Sequence, residues 1–436
     1  MNLYFILIEL FILGLTLYLF AYKQELAVLY IPVILFARIT IEPLTPAFLY
    51  YTIVSLLILY LAYKNAGFLR ENIFALLLII LYAVLVTQTE DFETIRSSFF
   101  ALIWLFLSIP LVSAIYKKHD KDTVMEELAS AAFLILAVFI VNVAFSTVFS
   151  YSPKLMYGIT SGILYGNLYA TDFNILGIAV FIVLWNAISK RNLLFLATSI
   201  VAIAFIMLSF RRSVMGTTML GVAAVLLILF SQHSFRKTAL FIVLALFAGF
   251  VIVMNTSFVD VFIARYEQRK LDERELGEET RFLEYDILYQ DMFVYNDYSP
   301  WFGYELLNSS GNYGKGVLED RTLHSDITNI VHSTGVVGLL LYLLMIASSF
   351  VQSCRHAVKR LDFVIILFCG SAFLVYTVTG RYTSTESMML LILLLMLPLA
   401  RQENSTASAS DAPGSLAATG FSPHAKAKAG MPQHAL

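Results

Sequence analysis

The chain has 436 residues, of which 59% are hydrophobic and only 14% charged, with a mean hydropathy of +0.77. That balance excludes a water-soluble globular enzyme and fits a protein that crosses a membrane many times. A net charge of -2, with no basic stripe carrying interleaved aromatics, argues against nucleic acid as a partner.

In chain order, a helix needs roughly 20 apolar residues to cross a bilayer, because hydrocarbon leaves every backbone polar group to be satisfied internally. On that measure the expected spans run from about 3 to 21, 26 to 40, 44 to 63, 69 to 88, 97 to 116, 127 to 149, 172 to 189, 193 to 209, 214 to 230 and 236 to 255. After a long polar insertion come about 328 to 350, 361 to 378 and 386 to 400. The expectation is an all-α polytopic membrane protein of about 12 or 13 transmembrane helices, the second span being short and carrying Pro32. The opening MNLYFILIEL lacks a basic n-region and reads as an uncleaved first span. Cys354 at a helix end and Cys369 inside an apolar run form neither a disulfide framework nor a metal-ligand spacing.

Lys and Arg beside span ends favour the cytoplasmic side. The connections with Lys64 and Arg70, Lys117, Lys118 and Lys121, Lys190 and Arg191, Arg236 and Lys237, and Arg355, Lys359 and Arg360 are therefore assigned inside. The acidic turn at 89 to 96 and the insertion at 256 to 327 then face outward. With thirteen spans and a cytoplasmic tail, the N-terminus lies outside. The organisation is thus 1–255 membrane helices, 256–327 a large extracytoplasmic loop, 328–400 membrane helices, and 401–436 a Ser-, Ala-, Gly- and Pro-rich tail with the composition of cytoplasmic disorder.

The insertion holds the densest chemistry. Its first part has apolar residues at helical spacing, Phe282, Tyr285, Leu288, Tyr289 and Met292, which predict one or two helices lying over the outer surface. Glycines and Pro300 then break the pattern into turns, and His324 precedes a nearly uncharged run, with Arg281 and Arg321 upstream.

A span ending SFRRSVMG, an Arg-led helix TRFLEYDIL, a WFGYE turn and HSDITNIVHSTGVVG leading into the next span together resemble the O-antigen ligase and O-antigen polymerase superfamily of bacterial envelopes. The resemblance is strongest over 204–344 and implies a C-type glycosyltransferase-like membrane fold in the inner membrane, with the active site facing the periplasm. It implies metal-independent, cofactor-free inverting transfer of a glycan from undecaprenyl pyrophosphate. The acceptor is another repeat unit in a polymerase and the lipid A core in a ligase; a flippase and a chain-length regulator are implied protein partners. It places the general base at His324 and pyrophosphate-binding roles at Arg281 and at Arg211 or Arg212. HSD stands where many relatives have His-Asn.

These residue types suit those tasks independently of the resemblance. The planar guanidinium meets phosphate oxygens bidentately and stays charged, and Arg211 and Arg212 come at the expected outer end of a span. The alternative for that pair is snorkelling to the interface. Histidine suits proton abstraction because imidazole ordinarily titrates near neutrality, and a helix N-terminus beside His324 favours bound phosphate. The plainer readings are that His324 and Asp326 cap a helix and that Arg281 belongs to a salt-bridged surface helix.

Asp326, Asn329 and Ser333 share a helical rhythm that predicts a polar face toward a cavity, whereas His332 falls off that face and reads as packed and hydrogen-bonded. Trp301, with Tyr304 and Tyr313, is a candidate for stacking on sugar rings or for an interfacial belt. Arg381, Tyr382 and Glu386 are candidates to close the cavity, and Gly335 and Gly338 to allow close helix packing. Lys315 in GNYGKG lacks the context of a nucleotide loop.

Polymerisation of lipid-linked repeats is the leading expectation. The alternatives are ligation to lipid A core, a flippase for the same lipid-linked sugars, and a structural scaffold. Ionisable residues concentrated in one outer loop weigh against a transporter.

Overall fold

The computed structural model describes residues 1–151, 153, 159–160, 164–169, 172–209, 211–231, 247, 280–316, 322–380 and 382–402. The expected tenth span at 236–255, the start of the insertion, Arg321, Arg381 and the expected disordered tail lie outside the described residues, as does the side chain of Arg281. The described chain belongs to one unit, Met1–Arg401; of a second unit, Gln402–Leu436, only Gln402 is described.

The described chain is mostly helical: α1 Asn2–Tyr18, α2 Ile31–Ile39, α3 Ala47–Lys64, α4 Ile73–Leu85, α5 Phe92–Tyr116, α6 Lys121–Val148, α7 Asn174–Lys190, α8 Leu193–Leu208, α9 Arg212–Ser231, α10 Thr280–Tyr289, α11 Asp326–His356, α12 Arg360–Thr379 and α13 Thr385–Leu395. Two two-residue strands, Ile159–Thr160 and Tyr165–Gly166, pair antiparallel. Seven helical stretches are long and apolar enough to cross a membrane, and four shorter apolar helices accompany them, which makes this a polytopic membrane protein. Its surface agrees: Leu3, Leu7, Leu10 and Leu17 leave an apolar stripe exposed on α1, while Tyr4, Ile8 and Ile12 pack inward. Apolar surface of that extent suits hydrocarbon rather than water.

The first apolar stretch, Asn2–Ile39, is a hairpin. A continuous helix would separate Tyr4 and Thr40 by about 54 Å, yet the Tyr4 hydroxyl donates to Thr40 Oγ1 at 3.0 Å. The reversal comes at Gln24, whose φ is 46°. Pro32 sits in the first turn of α2, where its missing N–H costs no helical bond. Glu9, an acidic residue within an apolar span, is explained by the next turn: its Oε1 accepts from Leu44 N, Thr45 N, Thr45 Oγ1 and Tyr50 OH at 2.9–3.0 Å.

Polar contacts sort the connections into two ends. At one, Lys117 pairs with Glu71, Lys118 with Glu25, Lys121 with Asp362 and Lys190 with Glu126, and Arg401 N donates to the His119 carbonyl. These are the connections singled out as basic. At the other end lie the Glu9 turn, Tyr151 bonded to Glu42, Glu90 N donating to Glu305 Oε1, and the described part of the insertion. Between the ends, every residue of α13 and all of α7 from Asn174 to Ala187 are buried. These two apolar helices are encircled by the others and form the core.

One expectation needs correction. HSTGVVG does not run straight into a span: α11 is two arms, 326–334 and 336–356, that meet at Gly335 with φ 66° and ψ -168°. In a straight helix Asp326 and Tyr342 would be about 24 Å apart. Instead Asp326 Oδ1 accepts from Tyr382 N at 2.9 Å, and the Tyr382 ring lies 6.0 Å from that of Tyr342. The short arm therefore folds back beside the long one. The turn 300–303 fills the break: Val336 N donates to the Pro300 carbonyl at 2.9 Å, Val337 N to that of Trp301 at 3.3 Å, and Tyr304 N to that of His332 at 2.8 Å. A Cβ at Gly335 would overlap the Trp301 carbonyl, and one at Gly338 would overlap the Thr334 side chain. Both glycines serve the break rather than helix–helix packing.

In α10 the apolar residues of the insertion divide between two sides. Phe282, Tyr285 and Tyr289 are exposed, while Glu284, Ile287 and Leu288 are buried. The aromatic side chains are turned away from the protein, the arrangement expected beside lipid, while Ile287 and Leu288 pack inward with Tyr313 and Leu323.

Candidate functional site

The inward face of α10 brings a carboxylate to the histidine. Glu284 is fully buried, and three donors converge on it: His324 N at 2.9 Å and Thr328 Oγ1 at 3.2 Å on Oε2, and His324 Nδ1 at 3.1 Å on Oε1. A carboxylate is an acceptor alone, so this contact puts an imidazole proton on Nδ1 and turns Nε2 to the other side of the ring. The side chain of His324 is 42% exposed, so the ring opens outward from the buried Glu284. An imidazole held by a carboxylate through Nδ1, with its ring partly exposed, is an arrangement suited to general acid–base work.

Neighbouring elements hold this pair. Ser325 is the N-cap of α11 but makes no side-chain cap; its Oγ instead shares a 2.7 Å hydrogen bond with Tyr285 OH and donates to the Thr377 carbonyl of α12 at 3.4 Å. Gly380, past the end of α12, has φ +69°, and a Cβ there would overlap the His324 carbonyl oxygen. The histidine backbone is thus clamped between α10 and the tip of α12.

Asp326 is buried in the first turn of α11, where its contact with Tyr382 N ties the segment after α12 behind His324. It belongs to the packing of the site rather than to its open face. Asn329 Oδ1 accepts from Tyr382 OH at 3.3 Å and from Ser333 Oγ at 3.4 Å, and Ser333 Oγ accepts from Leu307 N at 3.1 Å. The polar face predicted from Asp326, Asn329 and Ser333 therefore exists but is spent on internal contacts. His332 is fully buried among Tyr298, Tyr304 and Tyr313, with Nε2 2.9 Å from the Asn312 carbonyl, a packed histidine. Beside it, outside the spans, burial and the nearby Asp291 push the Tyr298 phenol well above its ordinary range.

The arginines are distributed as follows. Arg281 lies on α10 one helical turn before Glu284. Arg212 begins α9 and lines an open, almost wholly apolar groove of about 560 Å³ with Gly216, Met219, Leu220, Ala223 and Val375, between α9 and α12. The two helices are antiparallel, since Gly221 faces Phe368 further down. Val375 is two residues from Thr377, whose carbonyl Ser325 touches, so Arg212 and His324 flank the same tip of α12. Two residues are about 200° of helical rotation, so they approach that tip from different sides. Arg211 lies immediately before α9. Trp301 is 63% exposed at the Gly335 break and is not brought to His324. Its exposure beside Phe302 fits an interfacial aromatic pair.

Sequence reasoning missed Glu284, which stood among Glu278, Glu279 and Asp286 as one more charge of a solvated helix. Among the described residues, no group of three His, Cys, Asp or Glu side chains could hold a metal ion. No family model matches the chain, and no curated protein matches it.

Proposed function

We propose that this chain is a membrane glycosyltransferase that moves a glycan from undecaprenyl pyrophosphate to a sugar hydroxyl at the outer face of the bacterial inner membrane, most simply to polymerise repeat units. The observation that carries this reading is the pairing of buried Glu284 with half-open His324. In the reaction, the acceptor hydroxyl gives its proton to His324 Nε2 as its oxygen bonds to the anomeric carbon. The bond from that carbon to the pyrophosphate breaks, and the electron pair leaves with the lipid pyrophosphate. Inversion follows from attack opposite the leaving group.

The apolar groove under Arg212 supports a lipid-borne anion. An isoprenoid tail suits a wall of Gly216, Met219, Leu220 and Val375, and a guanidinium at its rim suits phosphate. Arg281, one turn from Glu284, is assigned the second phosphate contact, with Arg211 in support. The alternation of helix ends among the described residues supports placing the His324 end opposite the basic connections and hence outside. A ligase would differ in acceptor alone.

The test is reconstitution in proteoliposomes with a synthetic undecaprenyl pyrophosphate oligosaccharide, products being resolved on gels. The wild type is expected to form longer glycans and His324→Ala none. Equal products from both would overturn the reading, and products appearing only when lipid A core is supplied would reassign the acceptor.

A further inference from the structure

A second polar cavity lies at the same end of the bundle, among the last turn of α2, the beginnings of α3 and α5, and the first turn of α13. It measures about 190 Å³ and is lined by Arg38, Tyr50, Tyr51, Ser98, Trp104 and Glu386, among others. The Arg38 guanidinium lies over two rings, 5.3 Å from the centroid of Tyr50 and 5.9 Å from that of Tyr51. Its Nε is buried with no hydrogen-bond partner, and no described carboxylate forms an ion pair with it. Opposite, Glu386 is 5% exposed and receives a hydrogen bond from Ser387 Oγ at 3.2 Å. Buried polar groups left in this state call for a ligand.

The lining specifies its chemistry. Arg38 needs an acceptor and Glu386 a donor, and the two are not bonded to each other. A hydroxylated ring offers acceptor and donor on adjacent carbons, one for Arg38 and the other for Glu386. Tyr51 and Trp104, with ring centroids 5.7 Å apart, supply an apolar wall for the C–H face of such a ring. That wall is fixed in advance: Trp104 Nε1 donates to Ser55 Oγ at 3.1 Å, and Tyr50 OH donates to the buried Glu9 at 2.9 Å. The volume is on the scale of one sugar ring, not of an oligosaccharide.

We infer that this cavity is a saccharide site that holds one pyranose unit of the acceptor glycan. Its role as acceptor site rests on the glycosyl-transfer reading; its ligand class does not. The segment after α12 links it to the proposed base. Gly380 packs on the His324 carbonyl, Tyr382 N is held by Asp326, and Thr383, Thr385 and Glu386 line the cavity. Gly380 and Thr383 are three steps apart along the chain, at most about 10 Å.

The test uses the full chain in lipid nanodiscs and saturation-transfer NMR of methyl glucopyranoside, methyl galactopyranoside and methyl N-acetylglucosaminide, with sorbitol and inorganic phosphate as controls. At least one pyranoside should give a signal that is lost in Arg38→Leu and in Ser98→Phe, which fills the cavity from another helix, but kept in His324→Ala. Thermal unfolding of each variant identifies any that fails to fold, and the folded one decides. No signal from any pyranoside, binding that survives both substitutions, or saturable binding of phosphate in their place would overturn the assignment. In the glycan-elongation assay, Arg38→Leu should raise the acceptor KM tenfold or more. An unchanged KM removes the acceptor role, while Arg38-dependent pyranoside binding by a wild type that forms no glycosidic bond would sink the transferase reading and leave the saccharide site standing.

Discussion

Replacing Glu284 with glutamine isolates the feature on which the proposed chemistry depends. Glu284 Oε2 receives two donors, His324 N at 2.9 Å and Thr328 Oγ1 at 3.2 Å, so the amide oxygen of a glutamine settles there and its NH2 turns to His324 Nδ1. An NH2 group donates, so Nδ1 must become the acceptor and the ring proton moves to Nε2. The nitrogen that should take the substrate proton is then blocked. Loss of a general base costs roughly 10²- to 10⁴-fold in rate, or about 3–5 kcal/mol in barrier at about 1.4 kcal/mol per decade. Stability should change little, by about 1 kcal/mol, because two of three donors keep an acceptor. The assay is the initial rate of glycan elongation in proteoliposomes at saturating lipid donor, with thermal unfolding in parallel. A folded Glu284→Gln variant retaining about a third or more of the wild-type turnover would refute the tautomer argument.

Further predictions follow from individual contacts. Gly380→Ala places a methyl group on the His324 carbonyl at a backbone φ of +69°, so elongation should fall at least about tenfold for a stability cost of about 1–3 kcal/mol; a variant as active as wild type would contradict the clamp. Lys121→Met leaves the buried Asp362 without its cation and should destabilise by about 3–5 kcal/mol, with Lys121→Met/Asp362→Leu recovering much of the loss. Thermal unfolding in detergent measures both, and additive losses would refute the pairing. Burial, reinforced by the nearby Asp291, raises the Tyr298 phenol above its value in the unfolded chain, so its contribution is intact below pH 10 and is lost as pH rises beyond it, when the unfolded state ionises first. Between pH 10 and 11 the wild type should lose stability more steeply than Tyr298→Phe, by up to about 1.4 kcal/mol per pH unit. Equal slopes would refute the assignment.

The apolar runs were legible because helix length in hydrocarbon is a strong constraint, and the runs at 97 to 116, 127 to 149 and 361 to 378 fall on α5, α6 and α12. The basic connections were legible too: Lys117, Lys121, Lys190 and their partners gather at one end as their sequence positions suggested. What composition hides is direction. Phe282, Tyr285, Leu288, Tyr289 and Met292 share helical spacing, which does not say which side each faces. Next to a membrane, apolar side chains have two places to go, and here the aromatic ones turn away from the protein while Leu288 and Met292 turn toward it, on the side of Glu284. Glu9 is a related case, since its four donors come from Leu44, Thr45 and Tyr50, some 35 to 41 residues away.

The fold-back at Gly335 shows why the site could not be read as a helix simply entering a membrane. A continuous helix would carry Asp326, with His324 still further out, roughly 24 Å beyond the level of Tyr342, out of reach of α12. Breaking the helix returns the histidine to the tip of α12, and the carbonyl and amide groups freed by the break must then find partners. The Pro300–Gly303 turn supplies them, through Val336, Val337 and His332. WFGYE and HSTGVVG are therefore two halves of one backbone junction, whose function is to set where His324 stands. Trp301 contributes its carbonyl to that junction while its indole stays outside, so its importance should lie in backbone geometry at Gly335 rather than in contact with sugar. A Trp301→Leu variant should keep most of its elongation activity where Gly335→Ala loses it.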